Sequence, residues 1–213
     1  MSVAAESWIV LIGGLSRAEK STFADAICTT TGTAQHLPLD KYFHELPPGQ
    51  RFVDWVQSSA SVDWEIVIDH LARLRRAEDL YTPALDWRGS GRRLHGGGRD
   101  PHPQARRVLG GAACYVVPGC HALEAPWSGD RVLRIFVDTP LSLVAARCEG
   151  RKVGLDELRS TLVRHLTPAF EAILAYRDRA DRVLDGALLE GDGLPIAADA
   201  LRVALGLPGT DLS

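Results

Sequence analysis

Trp8-Ile9-Val10-Leu11-Ile12-Gly13-Gly14-Leu15-Ser16-Arg17-Ala18-Glu19-Lys20-Ser21-Thr22 is the stretch whose reading decides the fold. Its first five residues are a short apolar run that stops at two glycines, the profile of a strand buried on both faces in a parallel sheet. Lys20 to Thr30 then reads as a helix with Phe23, Ala26 and Ile27 on one face. A strand, a glycine turn and a helix in that order bring backbone N–H groups and a helix N-terminus together, which suits an anion.

The spacing sharpens this. A phosphate-binding loop of the P-loop type reads Gly, four residues, Gly, Lys, then Ser or Thr. Counted from Gly14, lysine falls at Lys20 and the hydroxyl at Ser21, as the pattern requires. Gly14, Leu15, Ser16, Arg17, Ala18, Glu19, Lys20, Ser21 and Thr22 are therefore the candidate cradle for the phosphates of ATP. Lys20 is placed to neutralise the β- and γ-phosphates and Ser21 to hold Mg²⁺. The only lysines of the chain are Lys20, Lys41 and Lys152, so one in this slot is harder to assign to chance. The second glycine is absent, and Glu19 occupies its place.

Further along, strand-like and helix-like segments alternate. Thr33 to Leu39 reads as a second strand that delivers Asp40 at its end, and Val62 to Arg76 as an amphipathic helix capped by Ser61, with Ile66, Leu71 and Leu74 inward. Gly89 to Pro103 is a glycine- and arginine-rich loop, either a surface connection or a flap touching substrate. Ala113–Val117 and Val132–Val137 are further buried strands, and Pro140 opens a helix over Ser142 to Cys148. Asp156 to Tyr176 is helical with a break at Pro168. Arg182–Leu184 is a last strand and Ile196–Leu205 a last helix. This alternation predicts an α/β fold, a parallel β-sheet with helices on both faces. Its ligand site is expected beyond the carboxyl ends of the strands.

These segments carry a resemblance. GGLSRAEKSTFA is similar to the phosphate loop of the uridine kinase-like P-loop kinases, the group of nucleoside, pantothenate and ribulose-phosphate kinases. Asp40-Lys41-Tyr42-Phe43 resembles their Asp-x-[Tyr/Phe]-[Tyr/Phe] segment. Val62-Asp63-Trp64 through Pro83-Ala84-Leu85-Asp86-Trp87 resembles their helix followed by Pro-x-Tyr-Asp. Arg131 to Arg151 resembles their strand and arginine-bearing lid, and Ala180-Asp181-Arg182-Val183-Leu184 their late strand. The resemblance implies a P-loop NTPase fold of the nucleoside kinase type in a single domain over 1–213, with a small lid around 147–160. It implies transfer of the γ-phosphate of ATP, with Mg²⁺, to a hydroxyl of a small metabolite such as a nucleoside. Asp40 is then the general base, and Lys20, Arg147 and Arg151 stabilise the transferring group, Lys152 adding to the cationic lid. Asp40, Tyr42, Asp86 and Arg93 are the candidates to face the acceptor, Asp86 being otherwise a surface turn residue; Arg92, Arg93, His95 and Arg99 either recognise an anionic acceptor or belong to a surface connection. A carboxylate usual after the Ala113–Val117 strand is replaced by Pro118. This departure and Glu19 support an alternative: a nucleotide- or anion-binding protein of kinase fold with little catalysis. A switch-like NTP hydrolase is the weaker third reading, since no guanine-recognition motif is present.

Composition bounds the rest. With 46% hydrophobic and 24% charged residues the 213-residue chain has a globular composition. A net charge of −3 argues against nucleic acid as partner. No apolar run can span a bilayer and no secretory leader is visible, so a cytoplasmic location without membrane contact is expected, with a homo-oligomer left open. Cys28, Cys114, Cys120 and Cys148 lack metal-site spacing and read as buried free thiols. His44, His70 and His165 read as surface histidines.

Overall fold

The computed structural model describes residues 7–85, 93–94, 101–150 and 168–210. Strand β1 (Trp8–Gly14) holds the centre of the molecule. All but the first of its residues are buried. Successive side chains of a strand point to opposite faces, so both faces of β1 are covered. The same holds for β7 (Cys114–Pro118), buried throughout. With β2 (Ala34–His36), β8 (Val132–Asp138) and β9 (Arg182–Asp185) they form one sheet, order β2-β7-β1-β8-β9, in which every neighbouring pair is parallel. The chain leaves β1 for one edge and returns on its other side, so β1 lies at the topological switch point, where ligands of such sheets bind.

Helix α1 (Lys20–Thr31) buries Phe23, Ala24, Ile27 and Thr31, a 3.6-residue stripe. It ends at Gly32, whose left-handed φ of 63° lets its N–H reach the Cys28 carbonyl at 3.0 Å. Ala26, expected on the inward face, is only half-buried. Helix α6 (Gly193–Ala204) packs along α1. Between them lie α2 (Phe52–Val56), α3 (Trp64–Arg75), α4 (Leu141–Gly150) and α5 (Pro168–Ala175).

Several boundaries differ from expectation. The second strand is three residues long and gives way to a 3₁₀ turn over Leu39–Tyr42, so Asp40 sits in that turn rather than at a strand end. Helix α3 is capped by Asp63, whose Oδ1 accepts the Ile66 N–H at 3.3 Å. Ser61 instead donates its hydroxyl to the Ser58 carbonyl inside a preceding 3₁₀ turn. Val67, Leu71 and Leu74 point inward from α3, while Ile66 is half-buried. Helix α5 opens at Pro168, where the missing N–H costs nothing; residues 156–167 of the predicted helix lie outside the described residues. Two short antiparallel ribbons were not foreseen: β3 (Leu80–Tyr81) with β6 (Arg107–Val108), and β4 (Ala84–Leu85) with β5 (Arg93–Leu94). The second turns part of the predicted 89–103 loop into a hairpin arm. Cys28, Cys114 and Cys120 are free, and burial pushes the Cys28 thiol up to about 11.

Candidate phosphate-binding site

Because the five strands run parallel, their carboxyl ends share one edge of the sheet. Gly14 ends β1 there, with Pro118, Asp138 and Asp185 ending β7, β8 and β9. Gly14 has φ 138°, and a Cβ on it would stand 2.6 Å from the Val137 carbonyl oxygen, so the chain turns out of the sheet only with glycine here. The loop that follows is anchored by the buried side chains of Leu15 and Ala18. Arg17 and Glu19 both adopt left-handed φ, 64° and 63°. A left-handed conformation costs a non-glycine residue about 1–2 kcal/mol, and such strain gathers at functional loops. Glu19 thus adopts the backbone shape that the missing glycine would take freely, and α1 starts directly after it.

Lys20 is buried, and its ammonium donates to the Leu15 carbonyl at 2.5 Å, folding back across the loop. The same carbonyl accepts the Ala18 N–H at 3.2 Å. Cys120 Sγ lies 3.6 Å from Lys20 Nζ. Ser21, in the first turn of α1, is exposed. The Glu19 carboxylate turns sideways: Oε2 accepts the Thr22 hydroxyl at 2.5 Å and Oε1 lies 3.9 Å from Arg147 Nε. Arg147, on α4, is itself engaged through all three guanidinium nitrogens. It donates to the Arg17 carbonyl at 3.1 Å, to the Gly186 carbonyl at 3.0 Å and to Glu190 at 3.1 Å. The structure therefore ties Arg147, expected in a cationic lid over the transferring group, to the loop itself.

Pro118 stands in register with Ile12, and the Gly119 N–H donates to the Ile12 carbonyl at 3.0 Å. No carboxylate occupies that strand position. Beyond it His121 is buried, donates Nε2–H to the Val56 carbonyl at 3.1 Å, and has no partner for its Nδ1 among the described residues. Burial holds its pKa below the usual value. Asp40 is exposed. Its neighbour Leu39 packs onto the Gly119 corner so closely that a Cβ there would meet it at 2.7 Å. This packing brings the Asp40 turn to the same sheet edge as the loop. Tyr42, by contrast, is fully buried, its hydroxyl 3.0 Å from His70 Nδ1, and burial pushes that hydroxyl's pKa up. It is enclosed in the core behind the turn. Asp86, Arg92, His95, Arg99, Arg151 and Lys152 lie outside the described residues, as does the side chain of Arg93.

At the ends of β8 and β9 a cavity of about 520 Å³ is lined by Asp138, Pro140, Arg177, Val183 and Asp185. Arg177 Nε donates to Asp138 Oδ2 at 3.1 Å across it. Gly186, which follows Asp185, is tied to the loop through Arg147, so the cavity neighbours the phosphate cradle. Sequence reading missed Cys120, His121, Gly186 and Glu190 as neighbours of the site, because each reaches it by tertiary packing alone. Missed too was His36, buried on β2 with Nδ1–H donating to Asp25 at 2.6 Å.

The architecture matches solved kinases. The chain is similar to a possible uridine kinase from Bacillus stearothermophilus, at 18% identity over 85% of this chain and 90% of that one, TM-score 0.55. It is also similar to D-glycerate 3-kinase from Cryptococcus neoformans, at 13% identity over 85% and 87%, TM-score 0.53. Phosphoribulokinase from Rhodobacter spheroides aligns at 13% identity over 85% and 73%, TM-score 0.52. No protein-family model and no curated protein matches the sequence. The fold is that of the P-loop kinases, an α/β parallel sheet with the loop at its carboxyl edge. The fold implied by the uridine kinase-like resemblance is thus matched in three dimensions. Among the described residues no helix is long and apolar enough to cross a membrane.

Proposed function

We propose that this chain is a phosphotransferase that moves the γ-phosphoryl group of ATP to a hydroxyl of a small polar metabolite, a nucleoside being one such acceptor. The observation that supports it most is the buried Lys20 folded across a left-handed loop between β1 and α1, at the switch point of a parallel sheet. In this reading the N–H groups of the loop and of the α1 N-terminus hold the phosphates, and Lys20 exchanges the Leu15 carbonyl for a phosphate oxygen. The exposed Ser21 hydroxyl fits a Mg²⁺ ligand, since Mg²⁺ is commonly held by one protein oxygen with phosphates and water. Bound there, Mg²⁺ neutralises charge on the transferring group. The base and sugar lie in the cavity at the β8–β9 end. Asp40 accepts the proton of the acceptor hydroxyl as its oxygen bonds to the γ-phosphorus and the bond to ADP breaks.

A second reading, a nucleotide-binding protein of kinase fold with little turnover, is favoured by two features: Glu19 and Glu190 already flank Arg147, and Pro118 brings no acid. ADP release, coupled to a colour reaction and measured with nucleosides, sugars and vitamins in turn, separates the two. Acceptor-dependent ADP release supports the transferase; ATP binding without release under every acceptor supports the second reading; no ATP binding removes both. A cytoplasmic, nucleic-acid-free setting belongs with the first reading, and the panel also names the acceptor.

A further inference from the structure

The peptide group between Arg17 and Ala18 is held at both ends. Its N–H donates to the Leu15 carbonyl at 3.2 Å, and its C=O accepts from Arg147 Nη1 at 3.1 Å. Of the two left-handed residues of the loop, Arg17 supplies this peptide's C=O and Glu19 follows Ala18. Arg147 reaches it with a planar guanidinium whose donors form a fixed fork. The other arms of that fork are fixed to the Gly186 carbonyl, just past β9, and to Glu190, just before α6. Glu19 closes the arrangement at 3.9 Å. The Arg147 side chain is only 10% exposed and that of Glu19 15%. A guanidinium with two carboxylates beside it carries no surplus positive charge for a γ-phosphate. Three of its N–H groups already donate to the protein.

We propose that Arg147 is a positioning residue for the phosphate loop: it pins the Arg17–Ala18 peptide to the β9 end of the sheet and offsets part of the Glu19 charge. The cradle then keeps its left-handed shape without its second glycine. The role differs from that of an arginine closing over the transferring phosphoryl group, and it rests on the loop being the nucleotide site. The two roles separate by phosphate count. A residue that shapes the cradle affects every nucleotide whose β-phosphate lies in it. A residue that touches the γ-phosphate affects ATP and spares ADP.

The experiment is calorimetry of Mg-ATP and Mg-ADP on wild type and Arg147→Lys, with hydrogen exchange at the Ala18 amide in the free protein. Arg147→Lys should weaken both nucleotides by the same factor, about tenfold or more, as small displacements of a binding cradle do. The ATP-to-ADP affinity ratio should stay put, and Ala18 exchange should rise. An ATP affinity that falls tenfold further than that of ADP overturns the proposal in favour of a phosphate contact. So does unchanged Ala18 exchange. Wild type that binds neither nucleotide ends the kinase reading, and the exchange arm still decides the clamp. If Arg147→Lys does not fold, Glu190→Gln, whose side chain is 53% exposed, carries the same readouts with a smaller parallel loss.

Discussion

Glu19→Gly is the substitution that tests most of the site at once. Glu19 holds φ 63° at the cost of about 1–2 kcal/mol, which glycine does not bear. Against that relief stands the loss of the Thr22 hydrogen bond, about 1 kcal/mol, and of a 3.9 Å contact with Arg147. The opposing terms are of similar size, so stability should stay within about 1 kcal/mol of wild type. Nucleotide binding is different. A carboxylate about 4 Å from a phosphate charge costs roughly 4 kcal/mol at an effective dielectric of 20, close to three decades of affinity. The structure turns the Glu19 carboxylate toward Thr22 and Arg147, which offsets part of that charge and aims it aside from the cradle. The remaining gain on removing it is about one decade, ~1.4 kcal/mol. Calorimetry should therefore show Mg-ATP binding about tenfold tighter in Glu19→Gly, at an almost unchanged melting temperature and with turnover not reduced. Equal or weaker binding by a folded variant would falsify the picture of Glu19 as a partly offset intruder. Lost activity with binding intact would make the carboxylate a working part of the site.

Four further expectations follow from the same geometry. Asp40→Asn should leave ATP affinity nearly unchanged and lower turnover at least ~10²-fold on the acceptor found by the panel, the scale of a positioned base; unchanged turnover removes Asp40 from the mechanism. Tyr42→Phe takes a fully buried hydroxyl from His70 and should cost about 1–2 kcal/mol in urea unfolding without moving the acceptor KM; a raised KM at unchanged stability places Tyr42 in the acceptor site instead. His36 and His121 both have pKa values held below the usual 6.5, chiefly by burial, so the unfolded chain binds protons that the folded one refuses. Their contribution is complete above pH 6.5 and falls as the solution is acidified below it, by up to about 1.4 kcal/mol per pH unit for each histidine; melting temperatures that hold level from pH 7 to 5 count against it. Gly14→Ala forces a Cβ to 2.6 Å from the Val137 carbonyl oxygen at φ 138° and should cost about 1–3 kcal/mol or more together with the anion site; wild-type stability in thermal melts contradicts the close approach.

Much of the fold was legible because it depends on local rules. An unbroken apolar run such as Trp8–Ile12 suits a strand covered on both faces, and a glycine pair can end it in a turn that larger residues cannot make. The periodic stripe of α1 and the alternation of strands with helices then imply parallel pairing. Where local rules compete, the reading slipped. Ser61 and Asp63 are both good helix caps, and the choice went to Asp63 because the Ser58–Ser61 turn had already engaged the serine hydroxyl. The two-residue ribbons at 80–108 are too short to leave a periodicity.

The candidate site divides in the same way. Gly14, Lys20 and Ser21 were visible because the phosphate-loop chemistry needs those residue types at that spacing, and contiguous residues keep their spacing in any fold. Whether Glu19 faces a phosphate or turns from it could not be read from its neighbours in sequence. That depends on Arg147, 128 positions away by number, and on Gly186 and Glu190 beyond it. Tyr42 likewise shares a segment with Asp40, yet packing buries one and exposes the other. By itself the sequence determined the strand, the turn, the helix and the lysine, each set by interactions a few residues long. The tertiary structure alone decided where the charges of Glu19 and Arg147 go, because an ion pair is set by distance in space, which the chain's order does not contain.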